Sequence, residues 1–233
     1  MLLDFVGTVI LTAVMVVNVN AVISAMPVER SWRLALALIV GLWIGLQVAL
    51  TGAGVYSMDV PWIGLGVAVP LVAAVVAFRS RRLRGALLAV PTPLLIGLNF
   101  SRVFGAFFLL LAAGGRLAGP FPYSAGWGDI AVGLIALPLA IAAARGTASR
   151  GAIVAWNAFA ALDLVAAIGL GLFSARGSPL HLIDAGVGSA AVASLPWALI
   201  PTVLVPFYLI VHGVIFLQQR EMTARRLPAS GAA

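Results

Sequence analysis

Cysteine and lysine are both absent from the 233 residues of the chain. Without cysteine the protein can form no disulfide, no thiolate metal site and no iron–sulfur cluster. Without lysine it can form no Schiff base, which excludes covalently bound retinal and pyridoxal phosphate. All 14 basic residues are therefore arginines. The sequence specifies no cofactor of another kind.

Charged residues are also scarce. They make up 9% of the chain, against 63% hydrophobic residues, whereas a soluble domain carries about 25% charged residues. Repeated apolar runs of about 20 residues match the length of helix that crosses a bilayer. These features predict an integral membrane protein in contact with lipid. The net charge of +7 then indicates topology-determining arginines, and we expect no binding of nucleic acid.

The apolar runs predict an all-α bundle of seven membrane-spanning helices that forms one domain, residues 1–217. The predicted spans are residues 2–25, 34–56, 62–78, 94–113, 129–144, 151–173 and 196–217. Residues 218–233 predict a basic cytoplasmic tail. The first run lacks a basic n-region and is longer than the apolar region of a signal peptide, about 7–15 residues, so we expect a retained helix.

Three connections carry further expectations. Residues 117–128 are too apolar for an ordinary loop and too rich in proline and glycine for a helix, which predicts an ordered outer cap. Residues 176–195 predict a second outer cap or a half-buried hairpin. Residues 85–90 precede Pro91 and are expected to lie along the membrane interface.

The arginines are distributed unevenly between the two sides of this bundle. Eleven fall on one side and two on the other, which is a strong positive-inside signal. It predicts an outer N-terminus and a cytoplasmic C-terminus in a bacterial-type inner (plasma) membrane. The eleven are Arg30, Arg33, Arg79, Arg81, Arg82, Arg84, Arg145, Arg150, Arg220, Arg225 and Arg226, and the two are Arg116 and Arg176.

Arg102 lies within an apolar run, where a charge costs roughly 2.5–3.5 kcal/mol on insertion scales. Asp163 is the other charge deep in such a run, and both lie about 15–17 Å below the outer ends of their spans at a rise of about 1.5 Å per residue. We therefore predict an Arg102–Asp163 pair. One alternative is that carbonyls or water satisfy Arg102, and a pair between Arg102 and Asp129 also remains open. Asp129 is predicted to be a separate group at the outer mouth, with Tyr123 and Trp127.

Other polar side chains extend this site. Gln47 lies at the level of Arg102, and a second layer closer to the cytoplasm predicts a polar shaft. This layer contains Asn99, Asn157 and His212, with Trp156 on the face of Asp163. The alternative is that these groups only join helices by hydrogen bonds, worth roughly 0.6 kcal/mol each in membranes.

The chemistry available to this chain is limited. The chain has only two histidines, so a metal site with several histidines is excluded by count. His181 and His212 are also predicted on opposite sides of the membrane and cannot share one metal ion. We therefore expect no metal site. No nucleotide-binding motif is present, and enzymatic activity is disfavoured. The sequence therefore predicts a protein that binds a small molecule or lipid, and transport of that molecule is the favoured interpretation. In that reading Arg102 holds an anionic head group or gates through its ion pair.

Two alternatives belong to another class. One is a non-enzymatic seven-helix sensor that binds a ligand without moving it. The other is an accessory subunit of a membrane complex, and a homo-oligomer is equally compatible with the sequence.

Overall fold

The structure is a computed structural model that describes residues 1–57 and 62–226, and every regular element in those two ranges is helical. Nine α-helices follow in chain order. They are α1 Leu2–Ala25, α2 Arg30–Gly52, α3 Trp62–Ala77, α4 Arg81–Leu88, α5 Thr92–Leu98, α6 Ala106–Ala113, α7 Pro120–Ala144, α8 Arg150–Phe173 and α9 Val205–Arg226. A 3₁₀ segment, Asn99–Gly105, joins α5 to α6, and a π-helical segment, Ile200–Leu204, precedes α9.

Six helical stretches within these ranges are long and apolar enough to cross a membrane, which indicates a membrane protein. They are Leu2–Ala25, Arg30–Gly52, Thr92–Ala113, Pro120–Ala144, Arg150–Phe173 and Ile200–Met222. The last stretch, Ile200–Met222, lies at the centre of the bundle, because 61% of its apolar 18-residue portion is buried, against 11% for that of α2. In α2 only Gln47 and Thr51 are buried, so most of that helix faces outward.

The third predicted span differs from a straight crossing. α3 has 16 residues, or about 24 Å, which is shorter than a hydrocarbon core of about 30 Å. α4 follows after a bend of 104°, with Ser80 Oγ accepting from the amide of Leu83 at its start. The pair therefore forms either one bent span or a shorter segment followed by an interfacial helix.

The prediction of an outer cap at residues 117–128 is wrong, because α7 begins at Pro120 and runs for 25 residues. Proline is well tolerated in the first turn of a helix, where its missing N–H would lack a partner anyway. Gly119 supplies the positive φ of 78° that the preceding turn requires. The prolines and glycines that suggested a cap are therefore compatible with a helix.

Several other boundaries move. The second span runs over Arg30–Gly52 and not 34–56, and α9 continues through Arg226, so the predicted tail begins as helix. Residues 227–233 of that tail lie outside the described residues. The connection 176–195, predicted to be a second outer cap or a half-buried hairpin, forms no hairpin. It consists of turns and a 3₁₀ helix, Ala190–Ala193, and folds back on the end of α8, where the amides of Leu182 and Ile183 donate to Phe173 O at 3.0 and 2.9 Å.

Gly7 determines how closely α1 approaches the residues just before the π-helical segment. A Cβ at Gly7 would lie 2.5 Å from Cη2 of Trp197, which is fully buried and donates to Asp4 Oδ1 at 2.9 Å. We expect Gly7→Ala to lower the free energy of unfolding by about 1–3 kcal/mol through overpacking. The measurement is the thermal unfolding midpoint in detergent.

Gly41→Ala is the matched control, because a Cβ at Gly41 on α2 would meet nothing within 4 Å. Equal midpoints for the two variants would contradict the close contact between Gly7 and Trp197.

Candidate functional site

Arg102 is the centre of the candidate site. It lies on the 3₁₀ segment, and 1% of its side chain is exposed. Its Nε donates to Asp129 Oδ1 at 2.6 Å and its Nη2 donates to Asp163 Oδ2 at 2.5 Å. Its Nη1 donates to Ala160 O at 3.1 Å. The structure thus brings Arg102 together with Asp163, as the depth comparison predicted, and adds a carbonyl partner.

The prediction that Asp129 is a separate group at the outer mouth is wrong. Because α7 begins at Pro120, Asp129 lies nine residues inside the helix, or about 14 Å below its start. That depth places its carboxylate beside the guanidinium of Arg102. We call Arg102, Asp129 and Asp163 the ion cluster. Its formal net charge is −1 when all three groups are ionised.

Two glycines make room for the carboxylates of the ion cluster. A Cβ at Gly105 would lie 2.3 Å from Asp129 Cβ, and a Cβ at Gly128 would lie 1.8 Å from Asp163 Oδ1. Real Cβ atoms do not approach so closely. Any larger side chain at either position would therefore displace a carboxylate from Arg102.

A third glycine brings the 3₁₀ segment against α7. A Cβ at Gly133 would lie 2.7 Å from the amide nitrogen of Val103 and 3.0 Å from Phe100 O. The backbones therefore meet without a side chain between them, as occurs where small residues line helix interfaces in membranes. This approach holds Arg102 at the level of both carboxylates.

His212 on α9 contacts the ion cluster. Its Nε2 is 3.4 Å from Nη1 of Arg102, and because a guanidinium only donates, Nε2 accepts. The ring proton then lies on Nδ1, which donates to Asn157 Oδ1 at 2.7 Å, while Asn157 Nδ2 donates to His212 O at 3.1 Å. Trp156 meets the His212 ring edge-on at 5.7 Å. The structure thus brings together these three predicted residues.

Four predicted site residues lie elsewhere. The buried side chain of Gln47 accepts from the hydroxyl of Tyr56, and Asn99 Nδ2 donates to Leu95 O, one turn earlier in α5, at 3.0 Å. No hydrogen bond joins either residue to the ion cluster within the described ranges. Tyr123 and Trp127 are 55% and 62% exposed. They lie on the outward face of α7, because the predicted cap is a helix.

Sequence reasoning missed a second polar group beside Arg102. The ring of Tyr208 lies 5.8 Å from Arg102 Cζ, and its hydroxyl lies 2.7 Å from Ser101 Oγ. Asn18 Nδ2 donates to both hydroxyl oxygens at 3.0 Å. One signal was available, because Tyr208 precedes His212 by four residues and therefore shares its helix face.

A cavity of about 670 Å³ reaches the ion cluster. Most of its lining is apolar. α3 and α8 contribute five lining residues each, and the connection that follows α8 contributes eight. The polar lining residues are Tyr56, Ser57, Asp129, Arg176, Ser178 and Ser189. Asp129 is the member of the ion cluster that lines this cavity, and 15% of its side chain is exposed. The described residues contain no group of three or more histidines and acids that could hold a metal ion.

Comparison with known proteins gives one match. Residues 60–220, more than half of the chain, match the family described as a domain of unknown function, DUF8737. No curated protein and no solved structure matches the chain.

Removing the arginine from the ion cluster leaves two buried carboxylates without a counter-charge. We expect Arg102→Met to lower the free energy of unfolding by about 3–5 kcal/mol, the usual cost of breaking a buried ion pair from one side. The triple variant Arg102→Met/Asp129→Asn/Asp163→Asn should recover most of this loss, because no charge remains buried. Thermal unfolding midpoints of the purified proteins measure both effects.

Arg176→Met is the control, because Arg176 is exposed. If Arg102→Met were no less stable than this control, the ion cluster would not hold the helices together.

Proposed function

The chain belongs to the DUF8737 family, and from the geometry of its site we propose that it binds a small amphipathic or lipid-like molecule within the membrane. The observation that carries this proposal is the cavity of about 670 Å³. Ligand sites are typically mainly apolar clefts of about 300–1,000 Å³ with a few convergent polar groups. The volume, the apolar walls and the carboxylate of Asp129 all agree with that description.

The position of the cavity supports entry from the bilayer. α3 packs against α9 and the π-helical segment, whereas α8 packs against α7 and α9. The cavity occupies the space between α3 and α8, with Val67, Leu71, Leu164 and Ile168 among its walls. A molecule with an alkyl or aromatic body can replace lipid contacts with equivalent contacts to these side chains. The polar end then determines selectivity.

Transport of this molecule is the second part of the proposal. Two membrane-length stretches are not regular helices: the 3₁₀ segment divides Thr92–Ala113, and Ile200–Met222 begins with the π-helical segment Ile200–Leu204. Transporters form substrate sites at interrupted helices, and mid-helix 3₁₀ segments often mark functional hinges. Arg102 lies on the 3₁₀ interruption, and Ile200 and Pro201 of the π-helical segment line the cavity.

The topology that we propose has seven spans, with α3 as the third span and α4 lying along the cytoplasmic interface. The N-terminus is then outside and the C-terminus inside a bacterial-type inner membrane. The support is the distribution of arginines, since eleven lie on the proposed cytoplasmic side and two on the outer side.

Binding in the cavity can be tested with a photoreactive diazirine derivative of dodecanol, a neutral single-chain probe, on the protein in phosphatidylcholine nanodiscs. We expect saturable labelling of α3 and α8 that unlabelled dodecanol reduces. Ala68 lines the cavity on α3, so Ala68→Trp should lower the labelling several-fold by filling part of the volume. Mass spectrometry of the labelled peptides provides the readout.

Ala73→Trp is the matched control, because Ala73 is also an exposed alanine of α3 and lies outside the cavity lining. Labelling that does not saturate, or that falls equally in both variants, would show contact with bulk lipid and contradict the proposed binding.

The absence of cysteine makes orientation directly testable with single introduced cysteines. Thr147→Cys lies in the turn between α7 and α8, and Leu180→Cys lies in the connection after α8. We expect a membrane-impermeant maleimide to label Leu180→Cys in intact cells, and Thr147→Cys only after the membrane is permeabilised. The opposite pattern would invert the proposed topology.

A further inference from the structure

The two kinds of charge in the ion cluster differ in access to the cavity. The side chain of Arg102 is 1% exposed, whereas that of Asp129 is 15% exposed and lines the cavity. A ligand in the cavity therefore meets the carboxylate and not the guanidinium.

The hydrogen-bonding capacity of the cluster shows the same asymmetry. Arg102 has five N–H donors, and four hydrogen bonds engage all three of its nitrogens, with Asp129, Asp163, Ala160 O and His212 Nε2 as the acceptors. Asp129 Oδ1 accepts from Arg102, but Asp129 Oδ2 accepts no hydrogen bond from the residues that the structure describes. The cluster therefore has an acceptor available at the cavity, whereas four of the five donors of Arg102 already have partners.

The charge balance adds a third argument. One guanidinium faces two carboxylates, so the fully ionised cluster carries a formal charge of −1. At membrane depth an unbalanced charge is costly, because the surroundings have a low dielectric constant. A cation in the cavity beside Asp129 would offset it, whereas an anion would increase the imbalance.

Arg176 is the second charged residue in the cavity lining. It follows α8, whose last residue is Phe173, and it is exposed. Solvent and salt weaken the attraction of an exposed charge for a ligand. Arg176 therefore competes poorly with the mostly buried carboxylate for control of ligand charge.

We propose that the polar end of the ligand is a cation, a protonated amine that donates a hydrogen bond to Asp129 while the apolar body fills the space between α3 and α8. This inference rests on the proposed function. It replaces the anionic head group expected from the sequence, because Arg102 is buried and its nitrogens already have partners.

The test measures how well three unlabelled molecules with the same alkyl chain displace the photoreactive dodecanol probe from the wild-type protein at neutral pH. They are dodecylamine, dodecanol and dodecyl sulfate, which carry a positive, a neutral and a negative head group. We expect half-displacement by dodecylamine at about a tenfold lower concentration than by dodecanol, since hydrogen bonds to charged groups are about twice as strong as neutral ones. Dodecyl sulfate should be the weakest.

Asp129→Asn should remove the preference for the amine while dodecanol still displaces the probe. Asp184→Asn is the matched control, because it removes the same charge from an exposed position that does not line the cavity. The preference should persist in Asp184→Asn. A preference that survives in Asp129→Asn would arise from partitioning into the bilayer and would overturn the inference.

A second probe keeps the test independent of whether Asp129→Asn folds. Dodecylamine with a diazirine next to the amine should label the wild-type α7 peptide that contains Asp129. Labelling confined to the outer connection around Arg176 would overturn the inference.

The two proposals fail differently. In one outcome the dodecanol probe labels saturably and Ala68→Trp lowers the labelling, but all three head groups displace the probe equally or dodecyl sulfate displaces it best. This outcome overturns the cationic head group and leaves cavity binding in place. Absence of saturable labelling overturns both.

Discussion

A guanidinium shared between two carboxylates at membrane depth is the interaction on which this structure depends. An arginine at the centre of a bilayer costs roughly 2.5–3.5 kcal/mol on insertion scales, so Arg102 requires partners from neighbouring helices. Asp129 on α7, Asp163 on α8 and the carbonyl of Ala160 supply them. Three separate stretches of chain are therefore held at one level, and each must approach the others closely enough for direct contact.

That approach explains the glycines around the cluster. Gly105 and Gly128 leave the volume that the carboxylates of Asp129 and Asp163 occupy, and Gly133 lets the 3₁₀ segment lie against α7 without an intervening side chain. The 3₁₀ geometry places Arg102 on the side of α7 and α8. Beside the cluster, His212 and Asn157 satisfy one another and connect it to the most buried of the membrane-length stretches.

The asymmetry of the cluster links this architecture to function. Its positive group is buried and has partners at all three nitrogens, while one of its negative groups reaches a mainly apolar cavity. Membership of the DUF8737 family brings no assigned activity, and the proposed ligand follows from this geometry. An apolar body between α3 and α8 and a cationic end at Asp129 complement the cavity. The proposed transport requires the walls of this cavity to move, and Ile200 and Pro201 of the π-helical segment are among them.

The sequence by itself determined the all-helical membrane character, because hydropathy is a local property that needs no knowledge of neighbours. It also placed Arg102 and Asp163 at one depth, since this calculation requires only the rise of a helix. Only the tertiary structure decided that Asp129 joins them, because the start of α7 at Pro120 sets its depth, and the proline- and glycine-rich segment around it had suggested a cap. The roles of Ala160 O and Tyr208, and the cavity itself, likewise arise from packing between helices distant in sequence. A backbone carbonyl and an empty volume carry no residue signature, so the fold alone could reveal them.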